Sequence, residues 1–283
     1  MKMVNIGVIG HTGRLGKPLV ELLTRHPEAN IVYTESRKEG ESGNINNADF
    51  IFLALPKGES EPYLAKCEGK RIIDLSEDHR DSSGWVYGLA ELEREEIRSA
   101  QKVANPGCYA TSIILGLLPV KGCVQKVSIA STSGISGAGM AVSSEDQFLI
   151  YKDGNTHSHL KEIQAALKYN ELSPGEILFV PQRIDTADRG IISTIFASYD
   201  GLRPAKEAYK SFYEGNPFVK LVDTIETKAV NRTNNVHIKV QQFSDNRLIV
   251  LSTLDNIVKG GSGHAIQNFN IMNGFDETLG LLN

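Results

Sequence analysis

Three groups of residues in this chain have the types and spacing to do chemistry. The first is Cys108, which leaves the stiff turn Asn105-Pro106-Gly107 and precedes an apolar run over 111–118 that reads as a helix. Pro106 fixes one backbone torsion, and Gly107 permits torsions that most residues avoid. A cysteine there falls at or near the first turn of a helix, where the dipole and unpaired N–H groups favour thiolate over thiol. The competing reading is a small buried hydrophobe, which free cysteine often is. The second group is His157 and His159, just before a helical run over 160–167. Either has an unperturbed pKa suited to acid/base work. Asn155 or Thr156 is placed to cap that helix, with Glu162 in its first turn. Surface histidines without a role are the plainer alternative. No third ligand stands near to complete a metal site, so no metal is expected.

The third group is Gly10-His11-Thr12-Gly13-Arg14-Leu15-Gly16, between a β-branched run over 4–9 and a helical run over 18–23. Strand, glycine turn and helix form the context of a dinucleotide fingerprint, here spaced GxxGxxG. Glycines let the backbone approach a pyrophosphate, which rests on the helix N-terminus. Gly10, Thr12, Gly13, Arg14, Leu15 and Gly16 are therefore candidate cofactor contacts. The next strand, over 30–34, runs into Glu35-Ser36-Arg37-Lys38. An acid there suits the ribose of NAD, and an arginine suits the 2′-phosphate of NADP. Ser36, Arg37 and Lys38 favour NADP(H). Apolar strands over 49–55 and 71–75 end at Pro56-Lys57 and Ser76. Ligands of open α/β sheets bind beyond such ends, so Pro56, Lys57 and Ser76 are expected at the cofactor cleft.

The elements that position these groups change character at the cysteine. Residues 1–107 alternate strand and helix, as in a doubly wound α/β (Rossmann) nucleotide-binding domain. Residues 108–260 contain a helix over 204–213 and strands over 126–132, 176–180, 190–199, 235–241 and 247–254. That pattern predicts an α+β catalytic domain with a mixed, largely antiparallel sheet. Within it, Ser133-Gly134-Ile135-Ser136-Gly137-Ala138-Gly139 presents hydroxyls and N–H groups together, a cradle for an anion. Arg183 and Arg189 stand in one connection and can hold a carboxylate bidentately, or pair with surface acids. Asn105, Ser136, Gly137 and Arg189 are candidate substrate contacts. A glycine-rich entry at 259–263 opens a last helix with Ile266, Phe269, Ile271 and Phe275 at amphipathic spacing. Residues 261–283 are expected to pack back on the first domain, with Gly263, Gln267 and Asn268 near the cofactor.

Length and charge exclude other classes. The 283 residues suffice for two domains. A net charge of −4 argues against a general nucleic-acid surface. No apolar run approaches the roughly 18 residues of a membrane span. Residues 4–9 read as a first strand rather than a signal-peptide core. The cysteines Cys67, Cys108 and Cys123 are odd in number and form no CxxC pair, so a reducing, cytoplasmic setting is expected.

GHTGRLG, FLALPKG, RIIDLSEDHR, VYGLAELEREEI, VANPGCYAT, SGISGAG, YKDGNTHSHLKEI, DRGIISTIFA and GGSGHAIQNFNIMNGFDETLGL follow one another along the chain. In this order they resemble the N-acetyl-γ-glutamyl-phosphate reductase family, the arginine-pathway members of the semialdehyde dehydrogenase superfamily. The resemblance implies NADPH-dependent reduction of a small-molecule acyl phosphate; a homo-oligomer, dimer or tetramer, is expected, since the second domain's sheet can bury a face against a copy of itself. The resemblance also implies that Cys108 is the thiolate nucleophile and that His159, beside His157, handles the proton. Ser36 and Arg37 would meet the 2′-phosphate, and Ser136 and Arg189 the substrate. The chain departs from the family pattern at Lys57, Ala110, Met140 and Gln182, and is short around 40–47. The family includes a lysine-pathway branch that reduces a carrier-bound aminoadipyl phosphate, an alternative reading here. Alternatives of other classes are a catalytically silent NADP-binding regulatory protein and a thiol hydrolase.

Overall fold

The structure, a computed structural model, describes residues 3–137, 148–152, 155–167 and 177–281. The chain divides into two compact units, Met1–Pro106 with Gly261–Asn283, and Gly107–Gly260. The first unit runs β1 (Val4–Ile9), α1 (Gly16–Arg25), β2 (Ala29–Ser36), β3 (Gly40–Gly43), β4 (Phe50–Leu53), α2 (Glu61–Leu64), β5 (Arg71–Asp74), β6 (Val86–Tyr87), α3 (Ala90–Ser99) and β7 (Lys102–Ala104). Among the described residues these strands form one sheet in the order β3-β2-β1-β4-β5-β7-β6. The pairings are parallel except that β3 runs against β2. All four residues of β4 are buried, as in a strand covered on both faces. The strand order reverses at β1, and ligands of open α/β sheets bind beyond the carboxyl ends of the strands at such a switch point, here β1 and β4. Strand β2 extends past the expected 30–34, so Glu35 and Ser36 are strand residues and not part of the following loop.

The second unit runs α4 (Cys108–Leu117), β8 (Val124–Gly134), β9 (Phe148–Ile150), α5 (His159–Leu167), β10 (Ile177–Ile184), β11 (Ile191–Tyr199), α6 (Ala205–Phe212), β12 (Val219–Leu221), β13 (Val236–Gln242) and β14 (Arg247–Leu254). Its sheet has the order β12-β13-β14-β11-β8-β10-β9. It is mixed and mostly antiparallel, with parallel pairs only at β8–β10 and β12–β13 among the described strands. Helix α4 buries Tyr109 to Leu117. It comes close to the sheet because its facing residues are small: a Cβ on Gly116 would meet Ile195 at 2.9 Å. Ser112 Oγ lies 2.9 Å from Ser193 Oγ and 3.2 Å from Ser252 Oγ, all fully buried. The carbonyls at the end of α4 have no helical partner. Tyr209 and Tyr213, from α6 and just beyond it, donate hydroxyls to Gly116 O and Leu115 O.

The chain returns to the first unit in α7 (Gly263–Asn273), after a wide π-turn over Val258–Ser262. The expected amphipathic stripe is not what this helix shows, because all ten residues from Gly263 to Met272 are buried. Phe269 packs on Phe50 and Phe52 at 5.0 and 5.8 Å. The polar residues are accommodated by hydrogen bonds: Asn270 Oδ1 lies 2.8 Å from His26 Nε2, and Asn268 Nδ2 donates to Gly88 O at 2.8 Å. No helix among the described residues is long and apolar enough to cross a membrane.

Candidate active site

In the first unit the glycine turn is as tight as a pyrophosphate cradle requires. Gly10 has φ +87°, and a Cβ there would come within 2.3 Å of Ala54 O. A Cβ on Gly16 would meet Gly10 O at 2.1 Å, so helix and turn touch through backbone alone. Gly13 N donates to Gly10 O at 2.9 Å, and Gly10 N donates to Glu35 O at 2.7 Å at the end of β2. Helix α1 has no side-chain cap and no acid in its first turn, which leaves its N–H groups and dipole for an anion. His11 Nδ1 is buried at this turn without a hydrogen-bond partner among the described residues. The residues present therefore fit a dinucleotide phosphate group. Thr12 is half-buried and Arg14 exposed. Leu15 anchors the start of α7, since Ser262 Oγ donates to Leu15 O at 2.8 Å and brings Gly263 beside the turn. Gly16→Ala is expected to destabilise the protein by at least about 2 kcal/mol, because a backbone oxygen must move to admit the methyl group. Urea unfolding measures this, and an unchanged midpoint would contradict the close approach.

Other expected cofactor contacts fare differently. Ser36 is buried, and its Oγ accepts from Glu39 N at 3.1 Å. Arg37 is 79% exposed and pairs with Glu59 at 2.6 Å. Pro56 opens the turn after β4, its carbonyl accepting from Glu59 N. The Ser76 hydroxyl is committed to Asp74 Oδ2 at 2.8 Å, in a buried knot where Asp74 also holds His79 Nδ1 at 2.5 Å. Gln267 is fully buried and donates to Glu277 Oε2 at 2.9 Å. Asn105, expected at the substrate, is likewise engaged inside its unit. It donates to Gly261 O and accepts from Asn268, both at 3.2 Å, and so pins α7 to the end of β7.

In the second unit Cys108 is the first residue of α4, earlier than the expected helix start at 111. Gly107 caps the helix at φ −74° and ψ 149°, torsions open to any residue, so the turn does not depend on glycine's freedom. Cys108 is half-buried, whereas burial pushes the Cys67 thiol up to about 11 and leaves it inert. A Cβ on Gly260 would come within 2.6 Å of Cys108 Cβ, so a bare backbone forms one wall of the thiol's position.

His157 and His159 are buried, not surface residues, with ring centroids 4.5 Å apart. Tyr109 packs edge-on to both, at 5.5 and 6.0 Å. Its hydroxyl donates to Gln182 O at 2.7 Å and accepts from Tyr151 at 3.0 Å. Burial first, then Tyr151 and the Cys108 charge, raise the Tyr109 pKa, so this phenol stays protonated. His159 opens α5, and its backbone N donates to His157 Nδ1 at 3.2 Å. His157 therefore caps the helix. Asn155, expected in that role, instead bonds Ile177 O and Phe179 N of β10.

Glu162, expected only as an acid in the first turn of α5, belongs to the site as well. Its Oε2 accepts from Gly107 N at 3.0 Å, and its Oε1 lies 3.9 Å from His159 Nε2. One buried carboxylate thus joins the residue before the cysteine to the histidine. The i, i+3 spacing from His159 on a helix was the available signal.

The anion cradle and the arginine pair are rearranged. Strand β8 runs through Gly134, and Ile135–Gly137 form a single 3-10 turn; Ala138 and Gly139 lie outside the described residues, as does Met140. Ser136 Oγ donates to Asp188 O and accepts from Asn256 Nδ2 at 3.0 Å. Arg183 lies in β10 rather than a connection, and its fork is closed by Asp185 at 2.5 and 3.0 Å, which removes it as a carboxylate clamp. Arg189 stays in the connection, with Nη1 3.4 Å from buried Asp255. Asp255 also accepts from the N–H groups of Arg232, Ile257 and Val258, and its carbonyl accepts from Gly260 N. The arginine and the glycine beside Cys108 therefore share one anchor.

Residues 108–256 match the semialdehyde dehydrogenase dimerisation domain, and residues 38–100 match the semialdehyde dehydrogenase NAD binding domain. N-acetyl-γ-glutamyl-phosphate reductase of Geobacter metallireducens is 36% identical over 99% of this chain and 98% of its own length. The chain belongs to the N-acetyl-γ-glutamyl-phosphate reductase family. The reductase of that name from Christiangramia forsetii is 34% identical over the same shares of the two chains. The fold is shared more widely than the reductases. Aspartate semialdehyde dehydrogenase II of Vibrio cholerae superposes with a TM-score of 0.79, at 14% identity, over 96% of this chain and 99% of its own. The Candida albicans aspartate semialdehyde dehydrogenase, solved with NADP, gives 0.74 at 14% identity over 96% and 99%.

Proposed function

We propose that the chain reduces N-acetyl-γ-glutamyl phosphate to N-acetylglutamate semialdehyde and phosphate with NADPH, through a thioester on Cys108. The observation that carries this reading is the Cys108 thiol on the first residue of α4, coupled through Gly107 and Glu162 to His159. The Cys108 thiolate attacks the acyl carbon, the C–O bond to phosphorus breaks, and phosphate leaves with the electron pair. NADPH, when bound, would supply a hydride to the acyl carbon; Gly10, Gly13 and Gly16 would hold its pyrophosphate, and Ser36 and Arg37 would receive the 2′-phosphate. The positive end of the α4 dipole, where Cys108 sits, favours the negative charge of the transient oxyanion. His159 donates a proton to that oxygen and takes it back as the C–S bond breaks and the thiolate reforms. Glu162 orients the imidazole. Arg189 and Ser136 face the substrate, and Asp255 fixes the arginine.

The test is run in reverse. Phosphate-dependent NADP⁺ reduction is expected with N-acetylglutamate semialdehyde. Faster turnover of a carrier-bound aminoadipate semialdehyde would assign the lysine-pathway branch instead, and no turnover with binding intact would favour a regulatory protein.

The second unit's match to a dimerisation domain supports a homo-oligomer, and we read it as a dimer formed through one sheet face. Strand alternation and register line up Leu178, Ser128, Phe196 and Ile249 in one row, with Val180, Ala130, Thr194 and Leu251 in the next. That face is opposite the one whose serines bond α4, and Leu178 and Phe196 are exposed on it. Phe196→Glu is expected to convert dimer to monomer in sedimentation velocity. An unchanged mass would move the interface elsewhere. The thiol chemistry suits a cytoplasmic enzyme.

A further inference from the structure

In a dinucleotide-binding sheet, an acid at the end of β2 takes the ribose hydroxyls of NAD and repels the 2′-phosphate of NADP. This chain ends β2 on Glu35 and Ser36, followed by Arg37, a mixed signal. The structure accounts for Glu35. Tyr33, two residues back on the same sheet face, donates its hydroxyl to Glu35 Oε2 at 2.6 Å. Lys66 Nζ lies 3.4 Å from both Glu35 oxygens and 3.1 Å from Glu41 Oε1, Glu41 being the β3 residue paired with Glu35. The Glu35 side chain is only 12% exposed under this lysine. Burial first, then Glu35, raise the pKa of Tyr33 and of Tyr63, so both phenols remain donors. The hydrogen bond to Glu41 raises that of Lys66, so the lysine remains charged. Arg37 already pairs with Glu59, and His11 lies 3.1 Å from Glu39, so neither serves Glu35.

We propose that Lys66 determines cofactor specificity: by neutralising Glu35 and Glu41 it allows a β2 strand that ends in an acid to accept a 2′-phosphate. This rests on the NADP reading above. Without Lys66, two uncompensated carboxylates remain beside the 2′-phosphate subsite. Charges within a Debye length of a phosphate, in a mostly aqueous dielectric, are worth about tenfold in affinity. NAD lacks that phosphate and should not register the change.

Isothermal titration calorimetry of NADP⁺ and NAD⁺ against the full chain, at low ionic strength, tests this without turnover. Lys66→Met is expected to weaken NADP⁺ about tenfold and NAD⁺ less than twofold. The double variant Glu35→Gln with Lys66→Met should recover most of the loss. Added salt should shrink the Lys66→Met effect. Equal weakening of both nucleotides, or an unchanged ratio, overturns the proposal while leaving the NADP reading intact. A wild-type chain that binds neither nucleotide overturns the NADP reading itself. Lys66 is 46% exposed, so its variants are expected to fold.

Discussion

Cys108→Ser is expected to lose on the order of 10⁴-fold or more in turnover while binding NADP⁺ as the wild type does. Serine keeps the size of the side chain and its place at the start of α4. It lacks a thiolate, and the N-terminal dipole cannot bring an alcohol near neutral ionisation. The serine oxygen would also be a poorer leaving group than a thiolate when the aldehyde is released. Steady-state kinetics with a parallel binding titration separates the two effects. Near-normal turnover would remove the covalent route. Loss of binding as well would mean that the substitution had disturbed the fold.

The second large effect divides the two histidines. His159→Asn is expected to slow turnover roughly 10²–10⁴-fold, the usual loss for a positioned acid/base. His157→Asn should stay within about tenfold of wild type, because its Nδ1 accepts the His159 N–H and an asparagine side chain makes that same cap well. Only one ring is thus predicted to move protons, although they lie 4.5 Å apart. The reverse ranking would exchange their roles and make the His159–Glu162 contact structural.

Much of the fold was legible because it rests on local patterns. The buried run of β4, the glycine turn and the break in character at Cys108 each follow from composition within a few residues. Less of the site was legible, since it depends on which partner claims each polar group. Asn105, Ser76 and Gln267 have suitable chemistry and lie near suitable turns, yet their side chains are taken up by Gly261, Asp74 and Glu277. Arg183 has the right fork but closes it on Asp185, two residues on and just past the end of its strand. Helix α7 shows the same limit: its asparagines and Gln267 read as a polar face, and long-range partners such as His26 and Gly88 allow them to be buried. Glu162 went unassigned for the converse reason. Its partner Gly107 is 55 residues away, a distance at which sequence spacing carries no information.

The most direct test of the thioester route omits NADPH. The wild-type chain is mixed with N-acetyl-γ-glutamyl phosphate and quenched in acid, and the peptide carrying Cys108 is weighed. The expected result is one N-acetylglutamyl adduct on that peptide with one equivalent of phosphate released, and neither in Cys108→Ala. Phosphate release without an adduct, or an adduct that survives the loss of Cys108, would contradict it.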